Sequence, residues 1–129
     1  MKNLSAEALQ QVAAYFQVLA EPARLQLLNL LREGERNVGE LAQLTGHSAA
    51  NVSRHLTQLT QRGLLAREPR GNSAYYSIAD ESIYRLCDLV CDSIARGIAR
   101  SSAQRAAFAA PDVPVRPLSA RRAPASRRR

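Results

Sequence analysis

NVSRHLTQLTQRGLL at residues 51–65 runs directly into AREPRGNSAYYSI at residues 66–78, and this join decides the fold. Over residues 48–62, Val52, Leu56 and Leu59 recur at helical spacing and form one apolar stripe. Asn51, Ser53, Arg54, Gln58 and Gln61 are left largely on the other faces. Ser48 has the chemistry of an N-cap, and Gly63 supplies the left-handed residue that stops the helix. Beyond it, LLARE at 64–68 and AYYSI at 74–78 predict two strands, joined by a turn at Pro69, Arg70, Gly71 and Asn72. Neighbours in a strand alternate faces, so one of Tyr75 and Tyr76 faces the core, and Tyr76 is assigned there.

The segment before this helix supplies its partner. Asn37 and Glu40 have capping-box spacing, and the helix they open carries Leu41 and Leu44 and ends at Thr45-Gly46. Only Gly46 and His47 separate it from the next helix, which is the tight geometry of a helix-turn-helix. A polar helix behind such a turn, with a β-ribbon after it, predicts double-stranded DNA binding. The second helix would enter the major groove, where Asn and Gln can bridge adenine, Arg can bridge guanine, and Ser reaches bases or phosphates. The residues expected to touch DNA are His47, Ser48, Ala49, Asn51, Ser53, Arg54 and Gln58, with Arg67, Arg70 and Asn72 from the ribbon. Arg67 and Arg70 are placed at or near the ribbon tip, against phosphates or a minor groove. His55 is read as a packing and phosphate-orienting residue.

The flanking helices follow from their own patterns. Leu9, Val12, Ala13, Phe16 and Leu19 share a face of a first helix over residues 6–20. Pro22 opens a second helix containing Leu25, Leu28 and Leu31. Asp80 and Glu81 place negative charge at the start of a last helix, whose stripe is Ile83, Leu86, Val90, Ile94 and Ile98.

Composition sets bounds on the rest. The chain of 129 residues has no Trp, two Phe and four Tyr, which predicts an aliphatic, leucine-rich core. Its net charge of +7 divides unevenly. Residues 109–129 hold six Arg against one Asp, punctuated by Pro111, Pro114, Pro117 and Pro124, and are expected to be a disordered basic tail. Residues 1–108 are then a single domain with 12 basic and 10 acidic side chains. Two readings of the tail stay open: an extension with no dedicated task, or a phosphate-seeking arm that adds salt-sensitive affinity. There is no apolar run long enough to span a bilayer and no signal-peptide pattern, so a cytoplasmic protein without membrane contact is expected. Nothing combines a nucleophile with a base or forms a glycine-rich phosphate loop, and no enzymatic activity is expected.

Cys87 and Cys91 are the two thiols, four residues apart on the last helix. That spacing puts their Cβ atoms roughly 5–6 Å apart, whereas a disulfide wants about 3.5–4.5 Å. A soft ion bridging both sulfurs asks for less movement than an internal disulfide. Two protein thiolates are fewer than a closed structural zinc site needs, so further ligands must come from another subunit or solvent. Both residues also border the apolar stripe, where small thiols pack as hydrophobes.

Taken together, these stretches resemble the ArsR/SmtB family of bacterial winged-helix repressors over about residues 8–98. The likeness is carried by LAEPARLQLLNLL at 19–31, NVGELAQLTGHSAANVSRHLTQLTQRGLL at 37–65 and RGNSAYYSI at 70–78. The step Ser53-Arg54-His55-Leu56 is especially typical of the recognition helix. The resemblance implies a mainly α fold with a small β-wing, dimerising through its first and last helices. It also implies a repressor of an imperfect inverted repeat, released by an inducer. The implied inducer is a thiophilic ion, arsenite, antimonite or a soft divalent metal, held by Cys87 and Cys91, with no resident cofactor required. Two of the family's inducer sites are missing here. Glu40-Leu41-Ala42-Gln43-Leu44 stands where one version carries cysteines, and no His follows His55 to build the paired-histidine zinc site. A redox- or persulfide-responsive repressor and a nonspecific architectural DNA-binding protein stay open beside the ion sensor.

Overall fold

The computed structural model describes residues 3–98 and residue 108. The first compact unit contains four helices and a small sheet in the order α1 (Ala6–Leu19), α2 (Pro22–Leu31), β1 (Arg36–Asn37), α3 (Val38–Thr45), α4 (Ala49–Gln61), β2 (Leu65–Arg70) and β3 (Ser73–Ile78). The second contains α5 (Ser82–Gly97). Residues 109–129, where a basic tail was expected, lie outside the described residues. Among the described residues no helix is long and apolar enough to cross a membrane.

Local chemistry sets the ends of the two central helices. The Asn37 side chain accepts from the Glu40 N–H at 2.8 Å, while the Glu40 carboxylate accepts from the Asn37 N–H at 2.9 Å. The expected capping box is therefore complete. Gly46 ends α3 at φ +79°, and its N–H donates to the Ala42 carbonyl at 2.9 Å. Ser48 caps α4 by accepting from the Asn51 N–H at 3.1 Å. At the other end of α4, Gly63 at φ +82° donates to Thr60 O, and Leu64 N–H donates to Leu59 O. That pair of bonds is a Schellman motif, which turns the chain straight into β2.

The core is leucine-rich, as composition predicts. Leu27, Leu28 and Leu31 of α2, Leu41 of α3, and Val52, Leu56 and Leu59 of α4 are buried, with Leu64, Leu65 and Tyr76 beneath the sheet. Thr45 is fully buried among them. Its hydroxyl donates to Leu41 O at 2.8 Å and accepts from the His47 N–H at 3.2 Å, so one side chain ties both sides of the turn. Leu9 and Phe16 of α1, Leu25 of α2 and Leu44 of α3 are exposed.

The sheet differs from expectation in two respects. It has three strands in the order β1–β3–β2, because Arg36 and Asn37 pair with Tyr76 and Tyr75. The hairpin turn is also tighter than four residues. Pro69 and Arg70 belong to β2, opposite Ala74 and Ser73, which leaves Gly71 and Asn72 as a two-residue loop. Gly71 has φ +60° and Asn72 lies outside the positive-φ region, the pattern of a type II′ turn. Pro69 is tolerated because β2 is an edge strand.

Candidate nucleic-acid interface

The polar face of α4 is available as expected. Val52, Leu56 and Leu59 turn inward, and Arg54 and Gln58 are exposed while Asn51 and Ser53 are half-buried. Ala49 and Ser48 stand exposed at the helix start, and His47 is half-buried behind them. The Ser48 hydroxyl is engaged as the cap. Arg54 donates through Nη2 to the Asn51 side-chain Oδ1, one turn back on the same face. Asn51 and Arg54 therefore present themselves as a linked pair.

The two wing arginines do not both stand at the tip. Arg67 and Arg70 are three residues apart, so they occupy opposite faces of a ribbon with period two. Arg67 pairs in register with buried Tyr76 and lies mid-strand. It lines an open cleft of about 360 Å³ with Ser53, Asn72 and the start of α3 at Asn37, Val38 and Gly39. The structure thus brings Ser53, Arg67 and Asn72 together beside α4.

Arg70 sits on the outer face, next to the turn, and is already engaged. Its guanidinium donates to both Glu35 oxygens at 2.6 and 2.9 Å and to Glu68 at 2.8 Å, and lies 4.6 Å from the centre of the Tyr75 ring. The bonds that Arg70 donates hold the Glu35 carboxyl below the usual range, and donating them to Glu35 and Glu68 raises the Arg70 pKa. Any other anion that engages Arg70 must first displace a carboxylate.

Sequence reasoning overlooked Arg24. From α2 its Nε donates to Val18 O in α1, and its Nη1 contacts His55 Nδ1 at 3.1 Å and donates to Gln58 Oε1 in α4. Burial lowers the His55 pKa, and the Arg24 charge lowers it further. Arg24 carried no pattern of its own in the sequence, because its partners in α4, His55 and Gln58, lie more than thirty positions downstream.

Cys87 and Cys91 lie on α5, Cys87 half-buried and Cys91 exposed, and neither is in a disulfide. Among the described residues no cluster of three or more His, Cys, Asp or Glu side chains could hold a metal within one chain. Asp80 opens the helix, accepting from the Ser82 N–H at 3.0 Å and its hydroxyl at 2.8 Å, bonds that lower its carboxyl pKa.

Comparison with known proteins bears directly on this geometry. The profile described as "Bacterial regulatory protein, arsR family" matches residues 21–67, from the start of α2 into the wing. The chain is 41% identical to the HTH-type transcriptional regulator Rv0324 of Mycobacterium tuberculosis over 66% of this chain, though the match spans only 38% of that regulator. It is 39% identical to Rv0081 of the same organism over 65% of this chain and 75% of the relative. The crystal structure of Rv0081 superposes with a TM-score of 0.68, covering 74% of this chain and 97% of the other. The solution structure of the homodimeric winged helix-turn-helix DNA-binding domain of Mb0332 from Mycobacterium bovis gives 0.61 at 39% identity, covering 70% and 83%. The AntR antimony-specific transcriptional repressor gives 0.65 at 30% identity, covering 77% and 90%. With its capped helix pair, three-stranded wing and these relatives, the chain belongs to the ArsR family of winged helix-turn-helix transcriptional regulators.

Proposed function

We propose that this chain is a homodimeric repressor that binds an imperfect inverted repeat in double-stranded DNA and is released by a thiophilic ion. The carrying observation is the linked pair of half-buried Asn51 and exposed Arg54 on α4, beside a cleft that gathers Ser53, Arg67 and Asn72. These groups supply groove-reading and phosphate-holding chemistry on one surface. The homodimeric Mb0332 domain supports a two-fold assembly, in which two copies of α4 meet half-sites about one helical turn apart.

Selection from a random duplex pool tests this reading. A repressor recovers an inverted repeat and prefers it over bulk DNA by about 10³-fold or more. An architectural protein recovers no repeat and loses affinity uniformly as salt rises. Arg54→Ala is expected to cost about 1–3 kcal/mol and to relax the preference at one position of each half-site. A loss equal on all sequences reassigns Arg54 to phosphate.

The inducer is proposed to be arsenite, antimonite or a soft divalent metal held by Cys87 and Cys91. The two thiols share a face of α5, and Cys91 is exposed, which suits a ligand better than core packing within one chain. The fold shared with the antimony-specific AntR supports the same ligand class. The remaining coordination comes from the second subunit or solvent. Binding shifts the population toward dimers whose α4 helices no longer match the half-site spacing, weakening DNA binding by about 1–3 kcal/mol. Cys87→Ser combined with Cys91→Ser is expected to leave operator affinity intact and abolish release, read by fluorescence anisotropy during antimonite, arsenite or cadmium titration. Release that persists in the double variant refutes the thiol site. Release by a persulfide donor and by none of the ions turns the pair into a redox switch.

A further inference from the structure

Arg24 reaches α4 from behind, and its chemistry constrains what α4 can show to DNA. Its Nε and Nη2 donate to the Val18 and Gln17 carbonyls of α1, the latter at 3.4 Å. Its Nη1 faces both His55 Nδ1, at 3.1 Å, and Gln58 Oε1. A guanidinium has only donors and stays protonated in proteins. Whatever it touches must therefore accept. This settles two assignments that heavy-atom positions alone leave ambiguous, the histidine tautomer and the amide orientation. His55 Nδ1 must carry a lone pair, so the ring's proton is on Nε2. Gln58 must turn its carbonyl oxygen toward Arg24, so its NH2 is the end left for other partners. Burial and the neighbouring Arg24 charge both favour a neutral His55.

We propose that Arg24 sets the hydrogen-bonding polarity of the recognition helix, so that exposed Gln58 leads with its amide NH2 and favours a hydrogen-bond acceptor on DNA. The proposal rests on the DNA-binding reading above and adds a specificity rule to it. Glutamine recognises adenine by using both ends of its amide, the carbonyl on N6–H and the NH2 on N7. With one lone pair of its carbonyl oxygen held by a cation behind it, Gln58 has its NH2 as the freer end of that pattern, which favours an acceptor. Guanine N7 and O6 provide one such acceptor, and a phosphate oxygen provides another. Arg24 is a positioning residue in this scheme. It acts through His55 and Gln58 and is anchored on α1, so its hold survives small movements of the exposed side chains.

The test uses the full chain and a duplex recovered by selection. Each position is replaced in turn by 7-deazaguanine or by a neutral methylphosphonate, and binding is measured for the unaltered protein and for Gln58→Ala. One position is expected to show a penalty of about tenfold that disappears in Gln58→Ala. A 7-deazaguanine penalty identifies a base edge as the acceptor, and a methylphosphonate penalty identifies the backbone. If the acceptor is guanine, Arg24→Met frees the amide to turn, and adenine becomes acceptable at that position. Adenine as the preferred base opposite Gln58 in the unaltered protein overturns the proposal, as does the absence of any position coupled to Gln58. Long-range 1H–15N spectra of the unaltered protein without DNA give a second readout that no variant's folding can obscure. They are expected to show His55 neutral with its proton on Nε2 at neutral pH; a proton on Nδ1 overturns the assignment. A chain that selects no sequence fails as a repressor, and the same spectra still decide what Arg24 holds.

Discussion

Leu56→Ala is expected to lower the stability of the folded protein by about 2–5 kcal/mol, the range for truncating a fully buried leucine where the site cannot collapse. Leu56 has no exposed surface, and its neighbours on the same stripe, Val52 and Leu59, are equally enclosed. A chain this size has about 5–15 kcal/mol of stability to lose. The substitution therefore removes a large share of it while altering no group on the DNA-facing side of α4. Urea unfolding at fixed protomer concentration measures the effect, since dimerisation makes apparent stability depend on concentration. Operator binding falls in parallel at temperatures where the variant is partly unfolded, and recovers on cooling toward the stability maximum. Arg54→Ala is the contrasting control: Arg54 is exposed, so its stability should change by no more than about 0.5 kcal/mol while its DNA binding falls. A Leu56→Ala protein as stable as its parent would mean that α4 does not pack through this stripe.

The same helix shows how far the residues announce the fold. Its stripe, its Ser48 cap and the glycine that ends it are local features, governed by bonds between residues a few positions apart, and each lies where periodicity and capping chemistry put it. Strand β1 was not foreseen because two residues carry no periodicity, and Asn37 already had a role as the cap of α3. The wing cations illustrate a different failure. The period of two separates Arg67 from Arg70, yet the turn predicted at 69–72 placed both at or near one tip. Nothing near Arg70 in the sequence points to Glu35, which lies thirty-five positions earlier and meets it only once the chain has folded. Arg24 belongs to the same category: its effect on His55 and Gln58 is long-range and rests on the donor-only chemistry of its guanidinium. Contacts made by sequence neighbours were legible, whereas the contacts of Arg24 and Arg70 with distant residues required three-dimensional juxtaposition.

On α1, Leu9 and Phe16 lie seven residues apart on one face and are 45% and 48% exposed. On α5, Leu89, Val90 and Ile94 are 66%, 46% and 42% exposed. Apolar side chains clustered on a helix face and left to solvent mark an interaction surface rather than a stable free surface. A two-fold partner, as in the homodimeric Mb0332 domain, is the occupant proposed for both faces. Val90→Glu with Ile94→Glu places two carboxylates where that partner would exclude water, and an unpaired buried charge costs several kcal/mol. Sedimentation is therefore expected to show monomers at concentrations where the parent chain is dimeric. Each monomer keeps an intact α4 and can still engage one half-site. It loses the effective concentration that delivers the second recognition helix once the first is bound, a gain worth about 10²–10⁴-fold in linked binders. Affinity for the full inverted repeat should fall by that factor, while affinity for an isolated half-site changes little. A double variant that stays dimeric would move the interface away from α5, and one that is monomeric yet binds the full repeat undiminished would refute a two-fold mode of DNA recognition.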